Sequence, residues 1–186
     1  MFAKSALLRE ILITLLLAVV AYCGLTYSIQ NTEVVGQSME PSLHHGERVL
    51  INKLAYRFGG RPQRGDIIVF TPPQHLEDNA GYVKRIIGLP GEKVEISNGY
   101  VSIHQADGTV IKLDESFYLG QSMIGSYLSG VIPEDHYFVL GDNRNNSSDS
   151  RGGWTVPKSD IMGKAWLAVW PPSSWGRAPN HKAGAI

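Results

Sequence analysis

The chain has 186 residues, with 17 basic and 17 acidic side chains that balance to zero net charge, and one cysteine, Cys23. That length holds one domain or one with a modest insertion, and the part beyond residue 30 can bury a core without a metal or disulfide staple. Neutral charge with no basic run argues against nucleic acid as a partner, and a lone cysteine excludes an intrachain disulfide or a Cys-ligated zinc.

The first element is apolar. No charged residue occurs between Ile11 and Thr32, and residues 11–29 read ILITLLLAVVAYCGLTYSI. A helix of that length, at ~1.5 Å per residue, crosses a hydrocarbon layer of roughly 30 Å and keeps its backbone hydrogen bonds internal. Lys4 and Arg9 precede it, whereas Glu33, Glu40 and Glu47 against Arg48 follow it. The positive-inside bias therefore predicts a cytoplasmic N-terminus (1–10), a transmembrane anchor (11–29) and an exported remainder. A cleavable signal peptide would end in an A-x-A pattern that Leu25 to Ile29 lacks, and Cys23 follows the bulky Tyr22 rather than the small residue that lipid modification needs. A retained, single-pass anchor in the plasma membrane is the reading.

Beyond the anchor the pattern turns to short strands: RVLINKL (48–54), DIIVF (66–70), YVKRII (82–87), YFVL (137–140) and KAWLAVW (164–170). EKVEIS-NG-YVSI turns at Asn98-Gly99 and VSIHQA-DG-TVIKL at Asp107-Gly108, both favoured hairpin pairs. The exported part is thus mainly β, with a hairpin-rich insertion at 92–134. Residues 57–64 and 71–80 read as loops. The tail, 173–186, lacks an apolar pattern and is expected to be poorly ordered. Trp166, Trp170 and Trp175 fit the core more simply than a membrane surface.

The chemistry starts at VVGQSMEPSL (34–43). Ser38 is either a polar turn residue or a nucleophile that needs a base. Glu40 stands where the second glycine of a G-x-S-x-G elbow belongs, so that route fails. Six histidines are available as bases: His44, His45, His75, His104, His136 and His181. Surface residues are the plain reading of all six, and none has zinc-site spacing. Lysine is the third route. Strand alternation puts Tyr82, Lys84 and Ile86 on one face, where an aromatic and an aliphatic neighbour could desolvate the amine. A base near neutrality needs its pKa lowered from ~10.4 by several units, a desolvation of roughly 3–5 kcal/mol. A solvated strand lysine is the ordinary alternative. GDNRNNSSDSR (141–151) is either a solvated loop or an ion-paired one aimed at a neighbouring amine. Counted from Asp142, Arg144 stands at the third position, where a calcium loop needs an acidic or amide ligand.

GQSMEPSL, GYVKRIIGLPG and GDNRNNSSDSR, in that order behind an N-terminal anchor, resemble the type I signal peptidase family over roughly residues 30–172. The resemblance implies a transmembrane helix followed by an antiparallel β-sheet catalytic domain (30–91 and 135–172), with the 92–134 insertion. It implies a serine endopeptidase with a Ser/Lys dyad, in which Ser38 is the nucleophile and Lys84 the general base. Ser147 matches the hydroxyl that orients the lysine. Asp149 with Arg151, and Asp142 with Arg144, match the ion-paired support. Gly36 stands where many members carry a serine that stabilises the oxyanion, so the second donor is left open. Matching positions put Val34, Met39, Leu43 and Tyr82 around the −1 pocket, and Val34 and Val83 around the −3 pocket. The substrates implied are signal peptides of exported preproteins with small residues at −1 and −3, bound as an added strand beside Glu33 to Gly36. The remaining expectations are contact with the lipid bilayer, no cofactor, no metal and a monomer. Two rivals differ in kind. A self-cleaving repressor-type Ser/Lys peptidase would carry a DNA-binding segment in place of the anchor, and an anchored β binding domain would tolerate Ser38→Ala.

Overall fold

A computed structural model describes residues 2–73, 81–181 and 184–185. Helix α1 (Phe2–Ser28) includes a 20-residue apolar stretch, Arg9–Ser28, none of it buried against the rest of the chain. The stretch is apolar all round, so it has no face to lay on a sheet. Its few hydroxyls close back on the helix: Thr14, Thr26 and Ser28 donate to the carbonyls of Glu10, Tyr22 and Gly24. That removes the unsatisfied donors a lipid environment would penalise.

Strand β1 (Ile29–Glu33) follows α1 without a linker. Then come β2 (Arg48–Asn52), β3 (Ile67–Phe70) and β4 (Tyr82–Gly88), and in the insertion β5 (Lys93–Ser97), β6 (Tyr100–His104), β7 (Val110–Asp114) and β8 (Tyr127–Leu128). The chain closes with β9 (His136–Leu140), β10 (Val156–Pro157), β11 (Ile161–Trp170), β12 (Gly176–Arg177) and β13 (Gly184–Ala185). The main sheet runs β1-β2-β11-β3-β4-β9-β10 with β12 beside β11, and the second runs β13-β7-β6-β5-β8; every pairing is antiparallel. Mainly β with an N-terminal apolar helix is therefore the fold. β3, all four residues buried, has the unbroken apolar run of a strand covered on both faces.

Asn98 and Gly99 take φ of 50° and 81°, as a two-residue type I′ turn requires. The second hairpin differs from expectation. Its connection is five residues (105–109), closed by the Thr109 carbonyl accepting from Gln105 N–H and by the Asp107 carboxylate accepting from Thr109 N–H. β1 was not marked by the sequence, because IQNTE has no apolar alternation. Of the expected 71–80 loop, residues 74–80, with His75, lie outside the described residues.

Two further expectations are corrected. The tail packs: β12 pairs with β11, Ala178 is buried, and the Asn180 amide donates to Ala165 O (2.8 Å) and accepts from Ile67 N–H (2.7 Å). A polar side chain does this docking, so no apolar pattern announced it. The three tryptophans are not core residues, since Trp166, Trp170 and Trp175 are 46%, 55% and 69% exposed.

The insertion shares its core with the main sheet, since Ile87, Phe138 and Leu140 pack with Val94, Ile96, Val101 and Ile103. A buried ion pair adds a second tie. Arg144 donates to both oxygens of Glu115 (2.6 and 3.0 Å), and Tyr118 donates to the same carboxylate (2.7 Å). Removing one partner of such a pair strands a buried charge at a cost of ~3–5 kcal/mol. Glu115→Ala is therefore expected to lower unfolding stability by about that amount, read from urea unfolding of the full chain in detergent. A loss under ~1 kcal/mol would show the pair to be idle.

Candidate active site

Ser38 sits in the connection between β1 and β2. The ladder continues past β1, with Val34 N–H donating to Glu47 O (2.8 Å) and Gly46 N–H to Val34 O (2.9 Å). Gly36 then turns the chain at φ +88°, a conformation that favours glycine, and its N–H donates to His45 Nδ1 (3.1 Å). Met39 and Leu43, each 1% exposed, pin the following turn into the core. Ser38 is left half-buried at the rim.

Lys84 comes from β4. Its ammonium nitrogen lies 2.6 Å from Ser38 Oγ and 3.1 Å from Val83 O, and 5.3 Å from the centre of the Tyr82 ring. It forms no ion pair among the described residues and is 4% exposed. Burial pushes its pKa from 10.5 down to about 8, against the opposing pull of Asp149 and Asp142. Roughly a tenth of the lysines are then neutral at pH 7. A serine hydroxyl in contact with a partly neutral amine can pass its proton to that amine.

The loop 141–151 closes over this pair. Asn143 ties it to the serine turn, its N–H donating to Ser38 O (3.0 Å) and its amide to Gln37 O (3.1 Å). Gly141 must be glycine, because a Cβ there would collide with Ser147 Oγ and the Ser38 carbonyl. Asp149 accepts from Gly141 N–H (3.1 Å) and from Arg151 Nε (2.7 Å) and Nη2 (2.8 Å), as expected of that pair. Asp142 and Arg144 do not pair with each other. Asp142 is held bidentately by Arg85 (2.8 and 2.7 Å), while Arg144 turns to Glu115 and donates from Nε to Gly141 O (3.0 Å). Ser147 Oγ is buried but has no hydrogen-bond partner, so it does not bond Lys84 in this arrangement.

A cleft of about 450 Å3 opens beside Ser38 and Lys84, walled by Val34, Met39, Tyr82 and Val83, with Asn146 and Ser148 across it. Leu43 lies behind Met39 in the core and is not on the wall. His45 is on the Gly36 amide, and the other described histidines stand elsewhere: His44 by Glu40, His104 on Glu95, His136 on Glu134 O, and His181 stacked on Tyr118. Sequence reasoning missed Arg85, Glu115 and Tyr118, and it gave His45 only as a candidate base or surface residue, not as the acceptor that holds Gly36 N–H. Arg85 carried a signal, since a charge inside an apolar strand demands a buried carboxylate.

Comparison with known proteins gives the family. A family model described as signal peptidase, peptidase S26, matches residues 7–170. The chain is 37% identical over 162 residues to a probable signal peptidase I-2 of Synechocystis, covering 85% of this chain and 71% of that one. It is 36% identical to a signal peptidase I of Leptolyngbya laminosa (91% and 83%) and 33% identical to a signal peptidase IB of Staphylococcus aureus (92% and 94%). A solved signal peptidase I from Enterococcus faecalis V583 aligns with 56% of this chain and 96% of its own at 32% identity and a TM-score of 0.47.

The lysine has a consequence for stability. Its folded pKa of about 8 lies below the unfolded 10.5, so between those values the unfolded chain holds more protons and stability rises with pH. Below that window the full desolvation penalty, on the order of 3 kcal/mol, is carried by the fold. Lys84→Met is expected to unfold about 2–3 kcal/mol harder at pH 7 and to flatten the rise in stability above about 8. Stability equal to the parent chain at pH 7 would mean the amine is well solvated.

Proposed function

Because the chain belongs to the signal peptidase family, peptidase S26, we propose that it is a membrane-anchored serine endopeptidase that removes signal peptides from exported preproteins. The observation that carries this reading is the 2.6 Å contact between a buried, ion-pair-free Lys84 amine and Ser38 Oγ at the foot of a cleft walled by Val34, Met39, Tyr82 and Val83. In the proposed mechanism neutral Lys84 takes the hydroxyl proton as Ser38 Oγ attacks the scissile carbonyl. The resulting ammonium then protonates the leaving amine as the C–N bond breaks, which leaves an ester on Ser38. A water, deprotonated by the same amine, hydrolyses that ester.

Substrate placement follows from unpaired backbone. Val34 spends its N–H and C=O on the β2 side, so those of Val35 point the other way, into the cleft. β9 pairs with β4 only from Arg85 onward, so β4 presents a free edge at residues 82–84. An extended peptide fits between these edges and adds as a strand. Alternate side chains would then enter pockets walled by Val34, Met39 and Tyr82 for −1, and by Val34 and Val83 for −3, which leave room for small residues. Leu43 supports Met39 from behind. Ser38 N–H is one oxyanion donor. The Gly36 amide is engaged by His45, so the second donor has to come from another wall, where Asn146 and Ser148 stand. We assign Ser147, Asp142, Arg144, Asp149 and Arg151 to holding the dyad rather than to the chemistry.

The test is cleavage of a purified preprotein by the full chain, followed by sequencing of the new N-terminus. Ser38→Ala, Lys84→Ala and Lys84→Arg should each lower the rate by at least ~10³-fold, the last because a guanidinium stays protonated. The rate should climb with pH through about 8. Ala→Leu at substrate position −1 should block cleavage. Near-normal turnover by Lys84→Arg would remove Lys84 as the base.

The proposed topology puts residues 1–10 in the cytoplasm, residues 11–29 across the plasma membrane, and the catalytic β domain, as a monomer, on the outer side. Protease added to intact spheroplasts should digest the β domain; its protection would reverse the orientation and change the substrate class.

A further inference from the structure

A second surface lies where the helix meets the β domain. β2 ends at Asn52, and the next amide, Lys53 N–H, donates to the carbonyl of Ser28, the last residue of α1 (2.8 Å). The loop from Lys53 therefore begins at the end of the helix and runs beside its final turn. There the Arg57 guanidinium lies 5.0 Å from the centre of the Tyr27 ring and donates to the Tyr27 hydroxyl. The Lys53 ammonium lies 5.8 Å from the same ring. Neither cation is in an ion pair among the described residues. Next to Arg57, Phe58 is 93% exposed and takes φ +52°.

Both properties of Phe58 are unfavourable in water. A bulky side chain disfavours the left-handed region, and an exposed ring forgoes its burial. An outlier of this kind points toward function rather than away from it. The last turn of a spanning helix lies at the boundary between hydrocarbon and headgroups, where tyrosine sits and basic side chains extend outward. At that level the exposed Phe58 ring has an apolar layer to enter, and Lys53 and Arg57 face phosphate. A zwitterionic headgroup adds a cation that these two would repel, and an anionic one does not.

We propose that Lys53 and Arg57, grouped around Tyr27 with Phe58 as an apolar wedge, bind the headgroup of an anionic phospholipid in the leaflet next to the β domain. The site rests on α1 being a membrane span and is independent of the Ser38–Lys84 chemistry. It fixes the height of the β domain over the bilayer at the point where the chain leaves it.

Native mass spectrometry of the full chain in detergent, given equal amounts of phosphatidylglycerol and phosphatidylcholine, tests this. The parent chain should retain phosphatidylglycerol with a preference of at least about fivefold. Lys53→Gln/Arg57→Gln should bring the preference close to one, Arg57→Lys should keep most of it, and Lys93→Gln on the far insertion should leave it intact. Circular dichroism melting shows whether the double variant folds, and Lys53→Gln alone, with a partial loss, serves if it does not. No preference in the parent chain, an unchanged preference in the folded double variant, or displacement of the lipid by an equal concentration of inorganic phosphate would each overturn the site. Extraction of cell membranes with alkaline carbonate separates the premises: release of the chain overturns the anchor and the site together, whereas retention without headgroup preference overturns the site alone.

Discussion

An amine buried without a carboxylate of its own is the constraint on which the rest of the β domain depends. Lys84 and Arg85 are consecutive residues of one buried strand, with side chains 4% and 0% exposed, and the fold treats them in opposite ways. Arg85 is given everything a buried cation needs: two bonds to Asp142, the carbonyls of Gly65 and Pro179, and the face of Tyr118 at 4.0 Å. Lys84 is given a hydroxyl and one carbonyl. The two carboxylates that pull on it are each spent on another cation, Asp142 on Arg85 and Asp149 on Arg151. A carboxylate left free at either position would restore the lysine charge and abolish it as a base near neutrality. The arginines therefore serve the lysine indirectly, by occupying its competitors.

Holding that arrangement requires contacts from distant parts of the chain. The serine turn is anchored by Met39 and Leu43, the loop 141–151 is laid on it through Asn143, and Gly141 lets the two backbones meet. The insertion contributes Glu115, whose carboxylate keeps Arg144 available to hold the Gly141 carbonyl. The tail contributes the Pro179 carbonyl to Arg85. The polar groups among these each have a partner. Ser147 Oγ is the exception among the described residues, a buried hydroxyl beside the dyad with nothing to bond.

What could be read from the sequence was local. The anchor follows from composition, the Asn98-Gly99 turn from backbone sterics, and the desolvated face of Lys84 from strand alternation. What could not be read depends on topology. Asp142 and Arg144 look like a pair at a separation of two residues, yet their partners lie 57 and 29 residues away, at Arg85 and Glu115. β4 and β9 bring the first pair together, and the turn after β7 the second. The tail and the tryptophans depart from expectation for one reason: apolar content alone does not decide burial. Asn180 is docked by its amide, and Trp166, Trp170 and Trp175 remain outside on or just after β11.

The same topology ties the cleft to helix α1. β1 begins at the residue after the helix, and all five of its residues are in register with β2, from Ile29 opposite Asn52 to Glu33 opposite Arg48. The continuation of β1, residues 34–36, is one wall of the cleft. Ser38 is therefore ten residues from the helix end, at most ~35 Å along an extended chain, with no flexible linker between them. Under the proposed function, the substrate's own apolar signal sequence lies in the same bilayer and presents its scissile bond near the surface. A nucleophile held at fixed height over that bilayer meets the bond in a thin layer rather than in bulk solution, which raises the effective concentration of one for the other. A cleft built only from main-chain edges and small-residue pockets can then act on many sequences, because the shared membrane supplies the encounter that specific side-chain contacts would otherwise have to provide.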